Sequence, residues 1–392
     1  MESRLTHKLS MVDLLAQSKK EAKKEGNESS SAIIEAANRW NYTAKGPSRW
    51  NDYFPAAKGN RQSPININVD NQHCDGDLKE DPLDIRYIHS RTNAIKNTGN
   101  TIRISFSPGS TIQGGPLEHQ YELLHCSFHW GKTNSRGSEH TVIGKQFPME
   151  VQLLHWNTSL YKQAEDAMTA PQGLAIMAAF IQIGQENPDL KAITDVITEV
   201  RYKDDIREMR LPFNPIHLVP REGIRDYWTY DGSLTIPPCT ENVTWIIFRY
   251  PLSISESQIQ GYRSLRAFFR QDRQDVASRE GALFDNFRPV QSMNNRPLRA
   301  SFEIDVFSGL LKNIPQWKLG NVIPKDSSDS KLQDQNESKH ENGSAGDRRS
   351  TISDDGLFKS LISSANNYTQ EIPITASNNQ TNRQFPLHTV KE

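Results

Sequence analysis

A mainly β domain with a few short helices, set between two polar arms, is the fold class this sequence predicts. Three observations carry that reading: short apolar runs broken by Gly, Pro and Asn from Trp40 to about Ile304, strict alternation around residue 104, and one well-signalled helix start at Ser255. Residues 1–37 hold Lys19, Lys20, Lys23 and Lys24 interleaved with Glu21 and Glu25, then a serine run, a pattern that supports a solvated helix at most and no core. Inside the domain, 38–304, Ile102, Ile104 and Phe106 alternate with Thr101, Arg103 and Ser105, the period of a strand with one buried face. Further strands are predicted at 121–130, 148–156, 174–183 and 243–250. Ser255-x-x-Gln258 is a capping-box pattern, and Ile259, Tyr262, Leu265 and Phe269 then share a helical face. Beyond Ile304, segments such as Ser338-Lys-His-Glu-Asn-Gly-Ser bury too little apolar surface to offset their ordering entropy, so 305–392 reads as a largely disordered tail. Within it, Leu357-Phe-Lys-Ser-Leu-Ile reads as unstructured, with a short partner-binding helix as the alternative.

A formal net charge of -1 over 392 residues, with basic and acidic side chains interspersed, gives no electrostatic case for nucleic acid. No apolar run approaches the about 20 residues that cross a bilayer, and the first residues show no secretory leader. Cys74, Cys126 and Cys239 allow one disulfide at most and form no C-x-x-C pair. Those features favour the cytoplasm. N-x-S/T triplets at Asn41, Asn157, Asn242, Asn336, Asn342, Asn367 and Asn379 point instead to export, so the sequence leaves the compartment open.

Six stretches in order resemble the alpha-carbonic anhydrases: Trp40-Asn-Tyr with Gly46-Pro47 and Trp50; Phe54-Pro-Ala-Ala-Lys-Gly-Asn-Arg-Gln-Ser-Pro-Ile65; Phe128-His-Trp-Gly131; Gly137-Ser-Glu-His-Thr-Val142; Tyr230-Asp-Gly-Ser-Leu-Thr-Ile-Pro-Pro238; and Asn286-Phe-Arg-Pro-Val-Gln291. The resemblance implies a large twisted, mostly antiparallel central sheet with peripheral short helices and a conical pocket. In active members three histidines at its floor hold zinc, two of them a His-x-His pair whose side chains share one strand face. The ion lowers the pKa of water at its open position to about 7, which supplies a nucleophile for carbon dioxide.

Set against that pattern, His129 matches one ligand position, while Ser127 and Gln152 occupy the other two. A hydroxyl and a carboxamide are poor zinc ligands beside imidazole, so no zinc is expected. His125 shares the face of Ser127 and His129, but four residues along a strand span about 13 Å, too far for easy joint ligation with His129, and it reads as a polar pocket-wall residue. His155 falls on the opposite strand face from Gln152 and reads as structural, as does His140 by resemblance. Thr235 and Glu139 match a threonine and its glutamate partner in the catalytic machinery, and a hydrogen bond between them is expected to survive as structure. Asn100 stands where fast isozymes place a proton-shuttling histidine, and an amide does not titrate near neutrality. Ile236 replaces a small polar residue, and with Leu154 and Leu234 it makes a drier pocket. Ala56 and Ala57 stand where secreted relatives place the cysteine that bridges to the position of Cys239.

Loss of two ligands resembles the carbonic-anhydrase-related proteins and the anhydrase-like domains of receptor tyrosine phosphatases, which act as protein-binding modules. The expectation is therefore a non-catalytic binding protein with no cofactor, a protein partner, no nucleic acid and no membrane span. The alternative is a residual zinc-dependent carbonate dehydratase.

Overall fold

The computed structural model describes residues 40–89, 92–209, 213–274, 281–303 and Phe358. The expected arm 1–37 and tail 305–392 lie outside the described residues, Phe358 excepted. Described strands, in chain order, are β1 (Asn66–Ile67), β2 (Gln72–Cys74), β3 (Asp84–Arg86), β4 (Thr92–Asn97), β5 (Ile102–Phe106), β6 (Thr111–Gly114) and β7 (Leu117–Trp130). They continue as β8 (Thr141–Val142), β9 (Met149–Asn157), β10 (Leu174–Ile183), β11 (Ile206–Glu208), β12 (Tyr227–Gly232), β13 (Val243–Ile254) and β14 (Leu298–Ala300).

Twelve of them form one sheet in the order β11-β4-β5-β7-β9-β10-β13-β12-β14-β2, with β6 also paired to β7 and β3 to β6. Neighbours run antiparallel except β10 with β13 and β14 with β2, so the expected mostly antiparallel sheet carries two parallel junctions. Strand β5 has the bounds its alternation predicts, with Ile102, Ile104 and Phe106 fully buried. Strands β7 and β13 outrun their predicted bounds because each finds more partner backbone. The first half of β7 pairs with β6, and β13 resumes pairing with β10 at Leu252–Ile254 beyond a bulge of its own after Phe248.

The strand period sorts side chains into two cores, one on each side of the sheet. Cys126, Phe128 and Trp130 of β7 join Val151 and Leu153 of β9 under the helix residues Ile259 and Tyr262. Leu124, Leu154, Ile176, Phe180, Trp228 and Trp245 fill the other side. A register shift between Leu123 and His125 turns both Leu124 and His125 to the second side, and this sets the phase that puts Ser127 and His129 there too.

The helix predicted from the capping box is present, with Ser255 and Gln258 exchanging both bonds, but it stops at Arg263 instead of running to Phe269. Tertiary backbone partners end it: the Arg266 N–H donates to the Arg201 carbonyl, and the Leu283 N–H to the Leu265 carbonyl. Leu265 stays in the core, whereas Phe269 is 36% exposed under the Lys203 ammonium.

Behind the second core, Gly137 lies at φ 151°, and an added Cβ would collide with the Pro148 carbonyl and crowd the Gly131 amide. Both are backbone atoms that no rotamer change can move. Gly137→Ala is expected to cost about 2–4 kcal/mol, read as a lowered urea midpoint at unchanged slope. An unaltered midpoint would show that this crossing yields freely.

Candidate functional site

A cavity of about 610 Å³ opens on the second side of the sheet. Pairing of β7 with β9 sets Ser127 directly opposite Gln152 and His129 opposite Glu150. Ser127, His129, Gln152 and Thr235 therefore converge at the floor, while His125, Leu154, Leu234 and Ile236 line the wall and Asn100 stands at the rim. Glu139 is fully buried and does not itself line the cavity.

The hydrogen bonds around the floor decide which atoms face the cavity. His129 Nδ1 lies 2.7 Å from the Asn286 carbonyl, which can only accept, so Nδ1 carries the hydrogen. His129 Nε2, 3.5 Å from Glu139 Oε2, has no hydrogen-bond partner among the described residues. Gln152 commits its amide nitrogen to two carboxylates: Nε2 donates to Glu139 Oε2 at 2.8 Å and to Glu150 Oε1 at 2.9 Å. Both amide hydrogens are thereby spent on two buried carboxylates, each of which would be costly without donors.

Glu150 takes further bonds from the backbone N–H groups of Glu139 and His140 and from His140 Nδ1. Burial alone would raise its pKa, but the His140 ring and these donors outweigh it and hold the carboxyl below the ordinary range. Glu139 Oε1 accepts from the backbone N–H of Arg288 at 2.8 Å. The hydrogen bond expected from Thr235 to Glu139 is absent from those of the described residues. Gln152, a donor where active relatives have a ligand, has taken the carboxylate oxygen.

His140 is held between Glu150 and the Tyr230 hydroxyl at 2.8 Å, and His155 between the Tyr87 hydroxyl and the Ala175 carbonyl, on the far side of the sheet from the cavity. Burial pulls the His155 pKa down to about 3, and it pulls His125 well below the usual imidazole value, with Arg103 and His155 adding to the effect. Both rings are neutral at pH 7. His129 and Glu139 are separated by 10 residues in sequence and Glu139 and Arg288 by 149, so spacing gave no signal for Arg288 or Asn286. Glu150 was visible in principle, since it sits two residues from Gln152 on one strand and so shares its face.

Ala57 packs in a small cluster with Trp50, Phe54 and Cys239, and all three cysteines are free thiols. Burial pushes the Cys239 thiol up to about 12 and raises Cys126 further, whereas Cys74 is only half-buried on the edge strand β2. One thiol per chain should react quickly with a disulfide reagent at pH 8, the other two only on unfolding. Fast reaction of two or three would contradict this packing.

The twisted sheet and its central cavity define a carbonic-anhydrase fold, and over residues 45–302 the chain matches the family of eukaryotic-type carbonic anhydrases, to which it belongs. The human carbonic anhydrase-related protein is 45% identical over 252 residues, covering 64% of this chain and 86% of that protein. Its rat counterpart is 44% identical over the same length. Mouse carbonic anhydrase 7 is 41% identical over 268 residues, 67% of this chain and 97% of that enzyme. No helix among the described residues is long and apolar enough to cross a membrane, and none of them form a group of three or more His, Cys, Asp or Glu placed to hold a metal ion.

Proposed function

We propose that this chain is a non-catalytic carbonic-anhydrase-related protein that holds no zinc and acts by binding another protein through the outside of its domain. The observation that carries the proposal is the commitment of Gln152. An amide whose nitrogen serves Glu139 and Glu150 presents, at best, a neutral carbonyl oxygen to the floor, beside one imidazole and the Ser127 hydroxyl. That donor set does not suit zinc, which takes three strong nitrogen, sulfur or carboxylate ligands in catalytic sites. Without the ion, water in the cavity keeps a pKa near its bulk value of about 15.7, and no other group at the floor supplies a nucleophile for carbon dioxide. Asn100 and Ile236 at the rim and wall add no proton-transfer group. The relatives named carbonic anhydrase-related protein support the non-catalytic reading, and the protein-binding role rests on the resemblance that the sequence carries.

The competing reading is a residual zinc-dependent dehydratase. It draws on the identity with mouse carbonic anhydrase 7 and on His129 Nε2, which has no hydrogen-bond partner among the described residues. Elemental analysis of protein purified without chelator, paired with carbon dioxide hydration before and after metal stripping, separates the two. The proposal expects far less than one zinc per chain and no difference in rate. Near-stoichiometric zinc with strippable activity would refute it. Affinity capture with the full chain and with a chain ending at 304 then tests the binding role and the share of the tail in it.

A further inference from the structure

The tail contributes one described side chain, and that side chain touches the domain. Phe358 is half-buried against the second core, its ring 5.4 Å from Phe147 at an interplanar angle of 42°. Phe147 is 2% exposed and stacks on Phe180 of β10 at 4.4 Å, so the three rings form a file leading from the surface to the centre of the sheet. Offset and tilted ring pairs at such distances add about 0.5–1.5 kcal/mol each beyond the area they bury. This part of the chain is additional to its relatives: 67% of the chain suffices to cover 97% of mouse carbonic anhydrase 7.

We propose that Phe358 latches the C-terminal tail onto the carbonic-anhydrase domain, in a socket capped by Phe147, and that this socket is an intrachain docking site for the segment Leu357-Phe-Lys-Ser-Leu-Ile. The contact itself sets the occupant: the ring seated there belongs to this chain, and its sequence neighbours include the apolar residues Leu357, Leu361 and Ile362. The connection from Glu303 is long enough, at about 3.3 Å per residue when extended, to reach any face of the domain. Covalent linkage gives such a segment an effective concentration of up to the order of millimolar, so a socket with a micromolar dissociation constant stays filled.

Hydrogen bonds also link the latch to the segment of Glu139. The Phe147 N–H donates to Ser138 Oγ at 2.9 Å and the Ser138 N–H to the Phe147 carbonyl at 2.8 Å, and Ser138 directly precedes Glu139. Phe358 thus braces the segment that carries the buried carboxylate of the floor.

The test uses the full chain and its Phe358→Ala variant, which leaves the domain sequence intact. A fluorescent peptide spanning 352–366 should bind the variant at least tenfold more tightly than the wild type, whose socket is already occupied, and the same peptide with Phe358→Ala should bind neither. Amide exchange at 145–149 and 176–181 should be faster in the variant than in the wild type. Peptide binding that is equal for the two proteins, or absent from both, together with identical exchange, overturns the latch. Tighter binding to the variant without an exchange change at 145–149 places the socket elsewhere and overturns it as well.

Discussion

Replacing Ser127 and Gln152 together by histidine is expected to give a variant that binds zinc stoichiometrically, with an affinity in the nanomolar range or tighter, about 12 kcal/mol. The two positions face each other across β7 and β9, with His129 one strand repeat from Ser127, so three imidazoles would meet over one point of the floor. The Gln152→His change keeps a ring N–H for Glu150, where the amide now donates, and frees Glu139 Oε2 from the other amide hydrogen. Thr235 lines the same cavity, and its hydroxyl is expected to take that oxygen, the pairing that the family pattern implies. Each single variant brings only two imidazoles together and should bind zinc at least a hundredfold more weakly than the double variant. Calorimetric titration with zinc and a hydration assay make the comparison. The expected activity is modest, because Asn100 cannot relay protons and Ile236 dries the wall. A folded double variant that stays metal-free would show that the register joining β7 to β9 is not the one described.

The strands and the floor were legible in the sequence to different depths. Alternation alone gave β5 its bounds, and the capping box gave the start of the helix at Ser255. The end of that helix was hidden, because the groups that stop it, the carbonyl of Arg201 and the amide of Leu283, come from distant segments. At the floor, resemblance found Ser127, His129 and Gln152, and the structure places all three around one cavity. What resemblance carried over wrongly was the partner of Glu139. A family pattern pairs it with Thr235, but a side chain that changes from ligand to donor rewrites the hydrogen bonds around it, and no motif encodes that change. The contact of Phe358 was missed for a related reason: a short apolar stretch in a largely polar tail gives no sign of where it lands. Two of the N-x-S/T triplets lose their interest once folded, since Asn157 is fully buried with its amide on the Gln172 carbonyl, and Asn242 donates to the carbonyls of Ala167 and Ala170.

Lowering the pH from 7 to 5 is expected to remove about 2 kcal/mol of stability through His155 alone, with His125 adding in the same direction, a large part of the about 5–15 kcal/mol typical of a folded domain. His125, 6% exposed, and His155, fully buried, are held neutral in the folded protein, chiefly because burial disfavours their charged forms. Unfolding returns each to an ordinary pKa of about 6.5, so below that pH the unfolded chain binds protons that the folded one refuses. Stability is therefore complete above about pH 6.5 and falls as the pH drops, by up to about 1.4 kcal/mol per unit for each ring, until the folded pKa is reached. Glu150 works in a lower window: its folded pKa lies below the ordinary carboxylate range, so its contribution persists down to about pH 4.5 and is lost only beneath it. The decisive comparison is between the wild type and His125→Asn. His125 has no hydrogen bond to lose among the described residues, and asparagine keeps a polar side chain on the cavity wall without a titrating ring. Urea midpoints at pH 7 and pH 5 should differ less in the variant, with His155 supplying what remains of the slope. If the variant loses as much stability over that interval as the wild type, the His125 ring is already protonated or solvated in the folded state, and the dry wall that Leu154, Leu234 and Ile236 build around it is not closed to water.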